Sequence, residues 1–287
     1  MFEVIEKLNK DLKEAAKRLE GRECRYLVDA YYMIQEYRKS LANQIRMSGD
    51  EPNALIGWMF EQAKVVENNI KRALDVYTDE NPVGVWMKSI KGIGPVLAAG
   101  LLAHIDIEKA PTVGHIWSFA GLDPTKKWGK GQKRPWNARL KTLCWKIGDC
   151  FVKVSNRPDD LYGKLYKERK EYEISKNLRG EYAEQAAEIL RTKNIGRDTE
   201  AYKYYVQGLL PPGHIDMRAR RYAVKQFLAD LHYVWYRYHF KKEPPKPYPI
   251  AILGHAHERE KPLFRTIVPA KRAIEKDSTR NRERKSI

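Results

Sequence analysis

The stretch VWMKSIKGIGPVLAAGLLAHI, residues 85–105, decides the fold. Two short apolar helical segments flank Lys91-Gly92-Ile93-Gly94-Pro95. Paired glycines turn the chain tightly and let backbone approach a ligand. Ile93 is expected to tuck between the helices. Pro95 suits a first helical turn, where its missing N–H costs nothing. Ala98 and Ala99 permit close packing. The pattern is that of a helix-hairpin-helix, whose N–H groups bind phosphate with the help of the helix dipole. Lys88 and Lys91 flank the turn and would add charge. Such a hairpin grips the DNA backbone rather than reading bases. Without a ligand, the same residues would make an ordinary packing corner.

Outward from this stretch the chain reads as helical throughout. Before it, Ile5, Leu8, Leu12, Ala15 and Leu19 recur at helical spacing. Helices are expected over about 25–46 and 54–77, separated by SGDEPN. After it, residues 106–139 read as loop, rich in Gly, Pro and Trp. Further helices are expected over about 140–155, 158–177, 181–193, 198–209 and 215–240, with PPG at 211–213 closing the run before the last. Strand alternation is nearly absent, which argues against a Rossmann or RNase H-like sheet over most of the chain. The expectation is an all-α chain. Its parts are an N-terminal helical region (1–84) of hairpins or coiled coil, a hairpin-containing DNA-binding domain (85–268) and a basic disordered tail (269–287).

The chain has 287 residues and a formal net charge of +17. Residues 1–80 are nearly neutral; the excess of Lys and Arg lies beyond them. A polyanionic partner is the simple reading. Lys126, Lys127, Lys130, Lys133, Arg134, Arg139, Lys141 and Lys146 follow one another without an acidic residue, and Trp128, Trp136 and Trp145 are interleaved. Basic side chains neutralise phosphates, and exposed indoles stack on bases. Trp128, in a Gly/Lys loop, reads either as a stacking residue or as local packing. Trp145, on an expected helix, reads as core. Arg218, Arg220 and Arg221 read either as a phosphate track or as a solvated face.

FAGLDP (Phe119–Pro124) follows the hairpin, and Asn137–Lys141 reads NARLK. With GIGPVLAAGLLAHI, these resemble the C-terminal domain of Piv/DEDD-type insertion-sequence transposases, some of them guided by a bridge RNA. The resemblance covers roughly 85–170, extends weakly to Met217–Leu228, and leaves 175–213 as an insertion. It implies DNA binding in transposition or recombination. The family's RNase H-like domain with its four metal-binding acids is not expected in this chain, and Trp128 stands before Gly129 where the family's catalytic serine is expected. Autonomous catalysis is therefore not expected, and no catalytic residue is assigned. A subunit completed by a catalytic partner in trans, or an RNA-binding module, are the alternatives.

The expected DNA-binding residues are Lys88, Lys91, Gly92, Ile93, Gly94, Lys126, Lys127, Trp128, Lys130, Lys133, Arg134 and Arg139. The expected partner is duplex or junction DNA, with structured RNA as a second candidate and a homodimer allowed by the N-terminal helices. No membrane anchor and no cofactor are expected, and the expected location is cytoplasmic, with the nucleoid. His255 and His257 could make a metal site with His214 and Asp216, but no fourth strong ligand is placed by spacing, and the two read instead as surface or phosphate-facing histidines. Cys24, Cys144 and Cys150 are too few for a disulfide scaffold. Cys144 and Cys150 read as core thiols, and Asp159 and Asp160 as helix-start acids.

Overall fold

A computed structural model describes residues 7–49 and 53–245. The described residues are all-helical, as expected: α1 (Lys10–Lys17), α2 (Gly21–Met47), α3 (Ala54–Asp79), α4 (Pro82–Ser89), α5 (Pro95–His104), α6 (Val113–Phe119), α7 (Ala138–Val154), α8 (Tyr162–Leu178), α9 (Ala183–Thr192), α10 (Glu200–Val206) and α11 (Pro212–Phe240). The expected basic tail and the pair His255 and His257 lie outside the described residues. None of the described helices is long and apolar enough to cross a membrane.

Two differences from the expected elements have clear causes. Residues 113–119, expected as loop, form α6, a helix too short to show a periodic stripe. The Pro-Pro-Gly at 211–213 does not merely close a run, because Pro212 opens α11. Its fixed φ and absent N–H fit a first helical turn.

The described residues fall into two compact units, one of 7–49, 53–111 and 233–245, the other of 112–232. The division differs from the 84/85 boundary expected from sequence. In the first unit, α2 packs on α3, and α5 packs on both. The α4–α5 connection, residues 90–94, is short and carries two glycines. Gly92 has φ +90°, a left-handed conformation suited to glycine. Ile93 is buried, and Ala98 and Ala99 are fully buried. Gly94 has φ −97° and caps α5 ahead of Pro95.

In the second unit, Phe151 stacks on Tyr162 at 4.9 Å between ring centres, and Phe227 meets both edge-on. These rings join α7, α8 and α11. The apolar stripe expected on the last helix is the buried one: Ala219, Ala223, Phe227, Leu231 and Val234 are sealed, though Tyr222 is only half-buried. Asn177 fastens the chain ahead of α11 by exchanging two hydrogen bonds with the Leu210 backbone, at 2.8 and 2.9 Å. Asp160 lies just before α8, near the helix start expected for it, and is sealed from solvent.

Gly163 sits against this carboxylate. A Cβ there would stand 1.9 Å from Asp160 Oδ2, 2.6 Å from Ser155 Cα and 2.7 Å from the Phe151 carbonyl oxygen. Two of the three are backbone atoms that cannot swing away. Gly163→Ala should therefore cost about 2–3 kcal/mol, the scale of overpacking a dense core. Urea denaturation measures it, and a midpoint unchanged from the native protein would show that α8 shifts freely.

Candidate nucleic-acid interface

The residues expected to bind DNA divide between the two compact units. Lys88, Lys91, Gly92, Ile93 and Gly94 lie in the first, and the residues from Lys126 to Arg139 in the second. At the hairpin, Lys88 is engaged with Asp75 Oδ1 at 2.5 Å and Asp79 Oδ1 at 2.9 Å. Two carboxylates thus already neutralise it. Lys91 is exposed at the turn, and a Cβ on Gly94 would meet nothing within 4 Å.

The basic loop of the second unit is built on glycines and Trp128. Trp128 Nε1–H donates to the Gln132 carbonyl at 2.6 Å, and Gln132 N–H donates to the Gly129 carbonyl at 3.2 Å. Gly131, at φ +84°, lets the chain return. The Arg134 guanidinium lies 4.9 Å from the Trp128 ring centre. Trp128 thus organises its loop while remaining 42% exposed, so the packing and stacking roles are compatible. Lys126, Lys127, Lys130, Lys133 and Arg139 are exposed around it. Asn137 closes the loop: its N–H donates to the Phe119 carbonyl at 2.9 Å, and its side chain caps α7 by accepting from Leu140 N–H at 3.0 Å.

Behind the loop the second unit opens a cleft of about 620 Å³, which the sequence did not reveal. Gly121 to Pro124 form one wall. Gly121 is left-handed, at φ +65°, and a Cβ there would come within 2.9 Å of Trp136 Cγ. The FAGLDP glycine is therefore demanded both by backbone conformation and by the indole above it. Lys141 covers that indole, 4.2 Å from its ring centre.

The opposite wall comes from α8, α9 and α11. Glu173, 1% exposed, accepts from Arg169, Arg218 and the Tyr182 hydroxyl. Burial pushes its carboxyl up, but these three hydrogen bonds outweigh it and hold the group below the ordinary range. The arginine trio on α11 has three separate roles. Arg218 pairs with Glu173, Arg220 pairs with Asp216 and Asp149, and Arg221 faces the cleft with no ion pair to a described carboxylate. Lys126, Lys141, Lys193 and Lys225 line the same cleft and likewise have none.

The charge of this cleft is self-opposed. Desolvation, then the neighbouring Arg218, lowers the Arg221 pKa. Desolvation, then Arg221 and Arg134, lowers Lys141. Desolvation lowers Lys225, against partial support from Asp123. His214 at the rim is lowered by desolvation and by Arg221, Arg218 and Lys193. The spacing of His214, Arg218, Arg221 and Lys225, at steps of four, three and four, puts them on one face of α11. That periodicity was a visible signal.

Trp145 corrects an expectation. It is 52% exposed rather than core, because the buried face of α7 carries Leu140, Leu143, Cys144, Ile147 and Phe151, and Trp145 falls outside that stripe. Cys144 is buried as expected, its thiol pushed up to about 12 by desolvation, and Cys150 is partly buried.

Residues 86–146 match the model of the Transposase IS116/IS110/IS902 family. That segment is related to transposases. It runs from Trp86 in α4 to Lys146 in α7, and so includes the hairpin, FAGLDP and the basic loop. The relation points to a role in transposition. Glu173, Arg218, Arg221 and Lys225 lie outside the matched segment. No curated protein and no solved structure matches the chain.

Glu173→Ala should cost about 2–3 kcal/mol at neutral pH, the scale for removing hydrogen bonds to charged groups, since Arg169 and Arg218 are only half-buried and water reaches them when their partner goes. The folded carboxyl is lowered, so its contribution is present above the unfolded value, about 4.3, and fades as pH falls through the folded one. The variant's stability, followed by denaturation between pH 7 and 3, should accordingly change less with acid than the native protein's. Parallel acid profiles would remove Glu173 from that role.

Proposed function

We propose that this chain is a backbone-directed DNA-binding protein of the transposase type, acting in DNA transposition or recombination. The observation that carries the reading is the coincidence of the matched segment with two phosphate-ready features. One is the hairpin turn at Gly92–Gly94, and the other is the acid-free loop from Lys126 to Arg139. At the hairpin, Lys91 and the N–H groups opening α5 hold a phosphate. Lys88, held by two aspartates, supports the turn rather than the ligand. In the loop, Lys126, Lys127, Lys130, Lys133, Arg134 and Arg139 neutralise the backbone around Trp128. Contacts of this kind position a protein on DNA without reading sequence. The chain binds rather than cleaves by itself, since Trp128 occupies the place that the resemblance gives to a nucleophilic serine.

Gly94→Ala is the sharpest test. Its φ is ordinary and its Cβ would enter open space, so the fold should be unaffected. Duplex affinity should fall about tenfold, the equivalent of one charge-assisted hydrogen bond. Fluorescence anisotropy with labelled duplex and four-way junction measures it, and native affinity in the variant would make the hairpin purely structural.

Lys127→Ala and Lys130→Ala should each flatten the log–log salt slope of duplex binding by about 0.9. An unchanged slope would remove that lysine from the phosphate footprint.

A further inference from the structure

The cationic cleft adjoins a second, smaller concavity. This niche, of about 140 Å³, shares Gly121, Leu122, Lys141 and Arg221 with the cleft. Its remaining wall is largely apolar, with Cys144, Trp145, Met217 and Val224 among its residues. Trp145 gives it an exposed aromatic rim. A continuous depression thus passes from an apolar ring-sized niche to a cluster of cations with no described carboxylate partner, with Arg221 and Lys141 at the junction.

We infer that this depression holds one unstacked nucleotide, its base in the niche against Trp145 and its phosphate among Arg221, Lys141 and Lys225. Each half of the depression calls for a different half of that ligand. An apolar pocket with an exposed indole offers a stacking surface that every base satisfies. Cations gathered in one depression without a described carboxylate partner repel one another and are relieved by an anion. An anion without a ring leaves the niche empty, and an apolar ligand leaves the cations unrelieved. A base stacked within a duplex cannot enter a niche of this size, so the nucleotide is extruded or belongs to a single strand. The depression therefore adds a base-holding site to the backbone contacts proposed above. It rests on that reading only for the source of the nucleotide.

The test uses the full chain with labelled 12-nucleotide single strands of DNA and RNA, a 12-mer carrying a central run of abasic sites, and a duplex. Arg221→Ala removes a cation that has no ion pair to a described carboxylate, and Trp145→Ala removes an exposed ring, so both variants should fold. Each should weaken single-strand binding about tenfold, within the range for one base–aromatic contact, while duplex binding stays within about twofold. The abasic strand should bind the native protein about tenfold more weakly than the intact strand and be insensitive to Trp145→Ala. Adenosine monophosphate should displace the single strand at concentrations where inorganic phosphate does not. The RNA and DNA arms then identify the sugar.

Unchanged single-strand affinity in both variants would overturn the inference. So would equal loss of duplex binding, which would make the depression ordinary duplex surface, and so would displacement by phosphate as effective as by the nucleotide. Failure of native duplex binding would count against the proposed function, whereas the single-strand arms score the nucleotide site alone.

Discussion

The second unit is organised around one buried carboxylate. Glu173 stands on α8 and accepts from Arg169 on its own helix, Arg218 on α11 and the Tyr182 hydroxyl just before α9. An ionised carboxylate inside a protein is tolerable only with its lone pairs filled by charged or strong donors. Here all three donors are themselves fixed by packing: Arg169 lies over Tyr222, and Arg218 over Tyr182. Satisfying Glu173 thus sets the rotation of α11 against α8. That rotation turns Ala219, Ala223 and Phe227 into the core. It also leaves Arg221 and Lys225 facing open space. The cleft follows from how this carboxylate is satisfied, together with the loop that Asn137 closes on the other side.

Much of the fold was legible because its signals are local. The break between α4 and α5 was legible through Gly92, Gly94 and Pro95, which have conformational preferences independent of their surroundings. The helices were legible through apolar periodicity, as in the stripe from Ala219 to Val234. Helix α6 was not legible. With seven residues it completes no stripe, and its anchor is remote: Trp117 Nε1–H donates to the Lys225 carbonyl at 3.1 Å, more than a hundred residues away in sequence. Trp145 shows that membership of a helix does not imply burial. Its distance from the Leu140–Cys144–Ile147–Phe151 stripe was the better guide.

The candidate site was half legible. Composition located the basic loop, since eight cations without an acid stand out in any context. It could not separate Arg218, Arg220 and Arg221, which look alike in the sequence. Their roles differ because Glu173, Asp216 and Asp149 meet two of them and not the third. Apart from Asp216–Arg220 within α11, these pairs join separate helices and are a tertiary property, so a count of charges overstates the cations available to a ligand. Lys88 makes the same point at the hairpin, where Asp75 and Asp79 on α3 reach it first.

The crowding of Arg221, Lys141 and Lys225 has a consequence for the ligand-free protein. Cations gathered in one cleft repel one another, and that repulsion is a cost borne by the folded state alone. Dissolved salt screens it. Salt therefore acts on this chain with two opposite signs. It stabilises the empty fold by quieting the cleft, and it loosens any polyanion by competing for the same cations. The empty protein is accordingly most fragile in the dilute buffers in which it grips its partner most tightly. A bound anion discharges both liabilities at once, coupling the integrity of the fold to occupancy of the cleft.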